Sequence, residues 1–523
     1  MAETYDSLMD GEVMGKGLLA NEREVQRDEP RDHSCLNLHD FIEESKRIGY
    51  IAGSMVAVNF SQYFLQIISV VMVGHLGQLS LSSIAIAVSF GSVTGFSVLF
   101  GMSGALETLS GQAYGAQQYG KLGTQTYTAI FSLILACLPL TVLWIYMGKL
   151  LVLIGQDPLI SEEAGKLIMW LIPALYAYAT LQPVVRFFQT QSLITPLLVS
   201  SCFTLCFHVL LCWALVFKCG LNNQGAALAI SISYWTNVVS LGLYMVFSDA
   251  CSKTLVPISM DVFRGIREFF RFAIPSASMI CLEWWSFELL IILSGILPNP
   301  QLETSVMSVC LATMSTLYPI PEGIGAAVST RVSNELGAGN PRSARIAAFT
   351  ALTIAVLQSV TVSAALVSSR HVFGYVFSSD NEVVDYVTNR APLLAVSVIL
   401  DSLQVVLSGI SRGSGWQDLG AYINLAAYYL CGIPVAVILG FWVQMRGKGL
   451  WIGIQSGAFL QIVLLSAITC CIDWHKQARK ARDRLLERDV ETQVHSCAVL
   501  QSCGIDTGDK NKANALQEEG NEP

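Results

Sequence analysis

Two carboxylates lie deep inside long apolar stretches of this sequence. Glu283 stands within ICLEWWSFELL, and Asp401 stands within VSVILDSLQVVLSG. A charged side chain at the centre of a bilayer costs roughly 2.5–3.5 kcal/mol on insertion scales, so it is rarely kept there without a task or a partner. Burial disfavours the ionised form of a carboxyl group, which lets such a group exchange a proton near neutral pH. The pair is a candidate site for proton coupling and for binding an organic cation.

The neighbours of Glu283 extend this hypothesis. Trp284 and Trp285 can offer aromatic faces to a planar or cationic molecule. Glu288 follows five residues after Glu283, about 140° further around a helix, so the two acids do not share a face. The competing interpretation is structural: an ion pair or hydrogen bond to a neighbouring helix, with the tryptophans facing lipid.

Other polar residues inside apolar stretches give weaker signals. Glu107 and Glu322 lie nearer the ends of their stretches, where lipid headgroups or cytoplasmic water can reach them. The residues that we expect to line a cavity are Asn59, Gln62, Tyr63, Trp284, Trp285, Glu288 and Gln404.

The elements that must position these residues are membrane-spanning helices. Of 523 residues, 53% are hydrophobic and 13% are charged, against roughly 25% charged in an average soluble domain. A spanning helix needs about 20 apolar residues, and alternating strands of a β-barrel are not visible. Twelve spans are predicted near 48–73, 82–107, 126–153, 167–188, 194–217, 225–247, 269–297, 305–330, 346–368, 386–411, 420–443 and 449–472. The sequence therefore predicts an all-α polytopic membrane protein.

The sequence also repeats itself. Residues 101–123 and 321–345 match at an offset of 222, which places Thr108 over Thr330, Gln112 over Asn334 and Gly115 over Gly337. Duplicated halves let many secondary transporters expose a mid-membrane site to either side. Because each half holds six spans, we expect two pseudo-symmetric six-helix lobes, related by an axis along the membrane normal, around a central cavity.

The apolar and polar composition along the chain sets the expected boundaries of its tails, lobes and linker. The parts are a disordered cytoplasmic N-terminal tail (1–47), an N-lobe (48–247), a cytoplasmic linker (248–268), a C-lobe (269–472) and a cytoplasmic C-terminal tail (473–523). Acidic residues concentrate in the tails, which is typical of solvated, disordered segments.

The two acids have no counterpart in the first half. At the offset of 222, Glu283 falls over Ser61 and Asp401 falls over Ala179. A structural ion pair would tend to be duplicated with the fold. The asymmetry favours a coupling lobe in the second half and a polar, uncharged first half.

Lys and Arg near the span ends predict the orientation. The side that carries both tails holds Lys46, Arg47, Lys121, Lys253, Arg264, Arg267, Arg271, Arg331, Arg342, Arg345, Arg412 and the 476–488 cluster. The opposite side holds Lys149, Lys166, Lys218, Arg370, Arg390, Arg446 and Lys448. Both termini are therefore expected in the cytoplasm. The plasma membrane and the vacuolar membrane share this geometry, so the choice between them stays open.

Cysteine usage does not indicate a metal site. Most of the fourteen cysteines lie in apolar runs, and the sequence has no C-x-x-C pair. Cys202 and Cys206 share a helix face, but His208 is rotated well away from Cys202. We expect no metal, no cofactor and no nucleic-acid partner.

Several motifs together carry a resemblance to a known family. They are VGHLG (73–77), SGQAYGA (110–116), GAALA (225–229), CLEWWSFELL (281–290), LSGILPNPQLETSV (293–306), STRVSNELGAGNP (329–341) and LDSLQVVLSGISRGSGWQ (400–417). On these, the chain resembles the multidrug and toxic compound extrusion (MATE) transporters, specifically the plant DETOXIFICATION group, over residues 45 to 475.

The resemblance implies a fold and a function. The family fold is twelve helices in two six-helix lobes around a central cavity, which a monomer can provide. Its plant members are regarded as proton-coupled antiporters that export alkaloids, flavonoids, other secondary metabolites or xenobiotics. The family's acids in spans seven and ten correspond to Glu283 and Asp401. Bacterial relatives often have an aspartate in the first helix, whereas VNFSQYFLQ (58–66) has no acid.

Three other functions remain open on the residues alone. A facilitative uniporter would use Glu283 and Asp401 only to select cations. A flippase for a lipid-linked substrate would need a site that opens sideways to lipid. A membrane-embedded enzyme is disfavoured, because the sequence has no membrane-level His/Asp cluster, no Cys/His metal spacing and no nucleotide motif. The expectation is a transporter and not an enzyme.

Overall fold

The computed structural model describes residues 38–373 and 381–486, and these residues form helices and connecting loops without a β-strand. Residues from Glu44 onward belong to one compact unit, to which the contacts below refer. Eleven helices of the described part are long and apolar enough to cross a membrane. The prediction of an all-α polytopic membrane protein is confirmed.

The helices follow one another with short connections. They are α1 (Leu38–Gly74), α2 (Gln78–Gly115), α3 (Tyr119–Ile145), α4 (Pro158–Thr190), α5 (Ile194–Lys218), α6 (Asn222–Phe247), α7 (Ile266–Ser294), α8 (Pro300–Leu317), α9 (Pro319–Gly337), α10 (Pro341–Ser368), α11 (Asn381–Ser414), α12 (Gln417–Trp442), α13 (Arg446–Cys471) and α14 (474–486). Short helical turns at Met147–Leu153, Asp249–Cys251, Asp261–Arg264 and Arg370–Phe373 join some of them. We call residues 44–247 the first half and residues 266–471 the second half.

The predicted eighth span, 305–330, is built differently from the others. It consists of two helices, since α8 ends at Leu317 and α9 begins at Pro319. Pro319 and Pro321 have no N–H to donate, so the hydrogen-bond ladder is interrupted between them and the preceding turn. Neither helix is among the eleven that are apolar enough to span a membrane. Tyr318 and Glu322, at this interruption, lie close enough to Glu283 of α7 to interact with it electrostatically.

The first and last helices extend beyond the expected tail boundaries. Helix α1 begins at Leu38 and not near residue 48, because its polar first turns include Glu44, whose buried carboxylate binds an arginine of α9. Apolar content alone does not detect such a turn. Within the expected C-terminal tail, residues 474–486 form α14. Its buried apolar residues are Trp474, Ala478, Ala481 and Leu485, a spacing of three and four that gives one apolar stripe.

Helix α14 is held by contacts to both halves. Lys121 Nζ, at the start of α3, donates to the backbone oxygen of Leu485 at 2.9 Å. Trp416 Nε1 donates to Gln477 Oε1 at 3.1 Å. The Arg484 guanidinium lies 5.6 Å from the centre of the Phe272 ring. The helix thus connects α3 of the first half to α7 and the start of α12 in the second half.

Replacement of Leu485 by alanine is expected to release α14. Leu485 is 8% exposed, whereas the adjacent Leu486 is 54% exposed. Loss of a buried leucine side chain costs about 2–5 kcal/mol, and about 1.4 kcal/mol is a factor of ten in an equilibrium. Trypsin should therefore cleave the basic helix of Leu485→Ala at least about tenfold faster. Leu486→Ala is the matched control, and equal cleavage of the two variants would show that α14 is not docked through this stripe.

The two halves approach each other backbone to backbone where α2 packs against α9. The contact joins positions that the sequence repeat had already aligned. Gly115 of α2 faces the backbone of Asn334, and Gly337 of α9 faces the backbone of Gln112, so closely that a Cβ at either glycine would overlap a backbone oxygen. Glycine is required at both positions because the backbones themselves touch.

Candidate functional site

Helices α7 and α11 bring the two predicted acids together. Glu283 of α7 is 8% exposed, and Asp401 of α11 is half-buried. The two carboxyl groups lie close enough to interact electrostatically, and the amide of Gln404 is a hydrogen-bond partner of Glu283. Gln404 is one helical turn from Asp401, so α11 presents an acid and an amide to the same acid of α7.

A buried polar atom without a partner lies beside this pair. Gln404 Oε1 is buried and makes no hydrogen bond to any described residue, and the buried Tyr428 hydroxyl lies beside the Gln404 side chain. Buried polar groups in native proteins are nearly always hydrogen-bonded, so unpaired ones need a reason, such as a water or a ligand. The surroundings of Glu283 and Asp401 are therefore able to hold a proton, a water molecule or a polar group of a substrate.

Trp284 lies between aromatic rings of the two halves. Its ring stacks on Phe100 of α2, with centroids 6.2 Å apart and planes inclined by 24°. It also meets the ring of Tyr318 edge-on, at 6.0 Å. Offset and edge-to-face contacts of this kind are favourable and leave ring surface for a further aromatic or cationic group.

Trp285 and Glu288 fix α7 to α2 and do not join Glu283. Trp285 is 38% exposed, and its Nε1 donates to the backbone oxygen of Val93 at 2.9 Å. That oxygen lies in the π-helical turn Ser92–Phe96, and such turns occur often at functional sites. Glu288 hydrogen-bonds with Ser89 of α2. The geometric prediction that Glu288 and Glu283 lie on different faces agrees with these separate partners.

Substitution of each tryptophan should distinguish the role of Trp284 in substrate binding from the role of Trp285 in packing α7 against α2. Trp285→Phe removes one hydrogen bond and should lower the free energy of unfolding by roughly 0.5–1.5 kcal/mol, with KM for substrate unchanged. Trp284→Leu should raise KM, because it removes the ring that stacks beside Glu283. The measurement is initial transport rate against substrate concentration, together with thermal unfolding. A raised KM in Trp285→Phe would contradict this division.

The first half contributes polar groups that are not charged. Asn59 and Gln62 are half-buried on α1, and Asn59 Nδ2 makes no hydrogen bond to a described residue. The Tyr63 hydroxyl lies 3.3 Å from Thr316 Oγ1 of α8. This α1 face therefore carries one unpaired amide and one tyrosine tied to the second half.

A buried ion network lies beyond the acid pair. Glu107 of α2 is 3% exposed, and its Oε1 is 2.7 Å from Arg186 Nη1 of α4. Its Oε2 accepts from Arg412 Nε of α11 at 2.8 Å and from Ser329 Oγ of α9 at 2.6 Å. The Glu107–Ser329 bond joins two positions that are equivalent in the repeat. One carboxylate thus binds two arginines, one from each half.

The network corrects two expectations from the sequence. Glu107 and Glu322 are buried and not within reach of headgroups or water, and Arg412, counted above among the charges of the cytoplasmic side, is buried too. Arg186 was missed, although an arginine inside PVVRFFQT (183–190) is a signal of the kind that singled out Glu283. Paired charges are tolerated where single charges are not, and pairing is not visible in local sequence.

His208 is held by hydroxyl groups. Its Nε2 lies 3.1 Å from Ser69 Oγ, and its Nδ1 lies 2.9 Å from Ser233 Oγ. Cys202 and Cys206 on the same helix are exposed and point elsewhere. Across residues 38–373 and 381–486, no group of three or more His, Cys, Asp or Glu is arranged to hold a metal ion.

Comparison with known proteins gives consistent results. The MatE family model matches residues 55–214 and again residues 275–438. Protein DETOXIFICATION 14 of Arabidopsis thaliana is 62% identical over 461 residues, which cover 88% of this chain and 95% of that protein. Protein DETOXIFICATION 12 of the same plant is 58% identical over 461 residues, with 88% and 96% covered.

Solved structures agree with these sequence matches. The crystal structure of the eukaryotic MATE transporter AtDTX14 aligns with a TM-score of 0.83 and 64% identity, covering 85% of this chain and 99% of that one. The outward-facing conformation of a multidrug resistance MATE family transporter aligns with a TM-score of 0.73 at 14% identity, covering 84% and 97%. The second likeness, at this low identity, concerns the fold alone.

Proposed function

The chain belongs to the MatE family of membrane transporters, and from that premise we propose that it is a proton-coupled antiporter that exports organic cations by alternating access. As a family member it is an efflux transporter of small molecules and not an enzyme. The proposed substrates are plant secondary metabolites, such as alkaloids and flavonoids, or xenobiotics. The observation that carries the proposal is the meeting of Glu283 and Asp401 in one buried polar site.

The chemistry of the pair explains how exchange would work. When Glu283 and Asp401 are ionised, their negative charge attracts a cation into the site, and little water is present to screen it. Proton uptake by the carboxyl groups removes that attraction, so the cation leaves as the proton binds. Because burial disfavours two adjacent negative charges, the site favours either a cation or a proton. Such competition is the physical basis of antiport.

The aromatic and amide groups near the pair suit a flat organic cation. The Trp284 ring and the Phe100 ring stack on each other beside Glu283, and aromatic faces attract cations. Asn59 carries a buried donor without a hydrogen bond to any described residue, which supports a role in binding polar substituents. These groups provide area and hydrogen bonds without one fixed geometry, which favours a range of related substrates.

The organisation of the transporter follows the same proposal. The two halves are the two lobes, and the family model matches each of them once. Both termini are proposed to be cytoplasmic, with the protein in the plasma membrane or the vacuolar membrane. A single chain would suffice for transport, since the acid pair lies within one chain.

The decisive experiment is efflux of a fluorescent organic cation from proteoliposomes under an imposed pH gradient. Antiport predicts that the rate follows the size and direction of the gradient and that cation movement is matched by proton movement in the opposite direction. A facilitative uniporter would move the cation down its own gradient whatever the pH. A lipid flippase would leave the aqueous cation in place and move a labelled lipid instead.

A further inference from the structure

Arg412 of the second half is within reach of two carboxylates, one from each half. Its Nε donates to Glu107 Oε2 of the first half at 2.8 Å. Its Nη2 lies 3.8 Å from Glu322 Oε1, in α9 of its own half. The first distance is a full hydrogen-bonded ion pair, and the second is too long for a hydrogen bond. In this state Arg412 therefore binds across the halves.

The atoms that face each other across the longer gap are both unpaired. Arg412 Nη2 and Glu322 Oε1 are buried, and neither makes a hydrogen bond to any described residue. Buried donors and acceptors without partners are rare in native proteins. A donor and an acceptor of opposite charge at 3.8 Å would pair after a movement of about 1 Å, which would bring them to the usual distance of a charged hydrogen bond.

Arg331 of α9 also binds an acid of the first half, but it pairs at the same time with an acid of its own half. Its Nε and Nη2 donate to the two carboxylate oxygens of Glu44, in α1 of the first half, at 2.7 and 3.0 Å. Its Nη2 also lies 2.6 Å from Glu335 Oε1, one turn along its own helix. Both arginines thus bind an acid of the first half; Arg331 already binds its second acid, whereas Arg412 does not yet bind Glu322.

In alternating access the halves separate on one side of the site at a time, and opening at the α2–α9 contact breaks these ion pairs. Breaking a buried ion pair is costly when it leaves a charge without a partner. After separation Glu107 keeps Arg186, which lies 2.7 Å away in its own half. Arg412 is left with Glu322, and Arg331 is left with Glu335. The arginines and Glu107 therefore each keep an opposite charge in their own half.

We propose that Arg412 exchanges carboxylate partners during transport, from Glu107 when the α2–α9 contact is closed to Glu322 when it is open, while Arg331 releases Glu44 and keeps Glu335. The exchange makes the network a gate that opens without leaving a buried arginine unpaired. Glu322 then stabilises the open state more than the closed one, whereas Glu107 and Glu44 stabilise the closed state. This inference rests on alternating access, which is part of the proposed function, but not on the identity of the coupling ion.

The test is hydrogen–deuterium exchange of the full chain in lipid nanodiscs, read at segments 105–115 and 326–337, which are buried against each other when the contact is closed. Glu322→Gln removes the partner that Arg412 needs in the open state, so deuterium uptake in both segments should slow several-fold. Glu107→Gln removes the closed-state partner, so uptake should rise several-fold.

Slower deuterium uptake in Glu322→Gln is the informative result, because a variant that only disturbs folding would take up deuterium faster. Glu163→Gln is the matched control, since Glu163 pairs with Lys166 at 3.0 Å within the first half and both side chains are partly exposed. It should leave both segments unchanged. If Glu322→Gln exchanged at the wild-type rate or faster, the partner exchange would be refuted. Gradient-driven efflux by the wild type tests the proposed function separately, because it does not depend on this outcome.

Discussion

Glu283→Gln and Asp401→Asn should each reduce gradient-driven cation efflux to the level of protein-free liposomes. Both substitutions keep the size of the side chain and remove its exchangeable proton. At an effective dielectric constant of about 20, a unit charge pair about 4 Å apart is worth roughly 4 kcal/mol. Loss of one carboxylate should therefore also weaken binding of the cation by more than about tenfold. Efflux under a pH gradient and substrate binding to the purified protein measure the two effects.

Glu288→Gln is the matched control on the same helix. Glu288 is a partly buried acid of α7 that hydrogen-bonds with Ser89 and not with the acid pair. Its substitution should leave the dependence of efflux on the pH gradient intact. Efflux that persists in both Glu283→Gln and Asp401→Asn would place the coupling site elsewhere or show that the protein is not an antiporter.

Gly337→Ala should destabilise the closed contact between the halves and slow transport. The added Cβ would overlap the backbone oxygen of Gln112, and the symmetric change Gly115→Ala would overlap that of Asn334. Backbone atoms cannot move aside as a side chain can, and overpacking of this kind costs about 1–3 kcal/mol or more. The measurements are the apparent melting temperature in detergent and the initial efflux rate.

Gly242→Ala is the control that distinguishes the steric overlap at the α2–α9 contact from the change in helix propensity. Gly242 lies inside α6, where an added Cβ meets no atom within 4 Å. Alanine is the better helix former by about 1 kcal/mol, so Gly242→Ala should be neutral or stabilising. If Gly337→Ala behaved in the same way, the α2–α9 contact would be looser than the structure describes.

Some features of the fold follow from local sequence. Membrane-spanning helices are recognisable because each must satisfy its own backbone hydrogen bonds and present apolar side chains to lipid. Eleven of the twelve predicted spans correspond to helices that are apolar enough to cross a membrane. The exception is the pair α8 and α9, where Pro319 and Pro321 interrupt the helix and small polar residues dilute the apolar run.

The repeat predicted more than the number of helices. The offset of 222 aligned Gln112 with Asn334 and Gly115 with Gly337. In the structure, each glycine contacts the aligned polar residue of the opposite half: Gly115 contacts Asn334, and Gly337 contacts Gln112. A symmetry axis makes equivalent positions meet where it passes between the halves. The repeat did not reveal which of the aligned positions lie at the axis, because an alignment contains no distances.

The sequence by itself determined the membrane fold class, the duplication and the two acids of the candidate site. Each of these depends on local composition or on self-similarity, and an acid in an apolar run is unusual wherever the chain later places it. Only the tertiary structure decided the partners: Gln404 for Glu283, Ser89 for Glu288, and Arg186 and Arg412 for Glu107. Glu107 and Arg412 are 305 positions apart in the chain. The energy of a buried charge depends on what lies within a few ångströms of it, and the fold sets that distance.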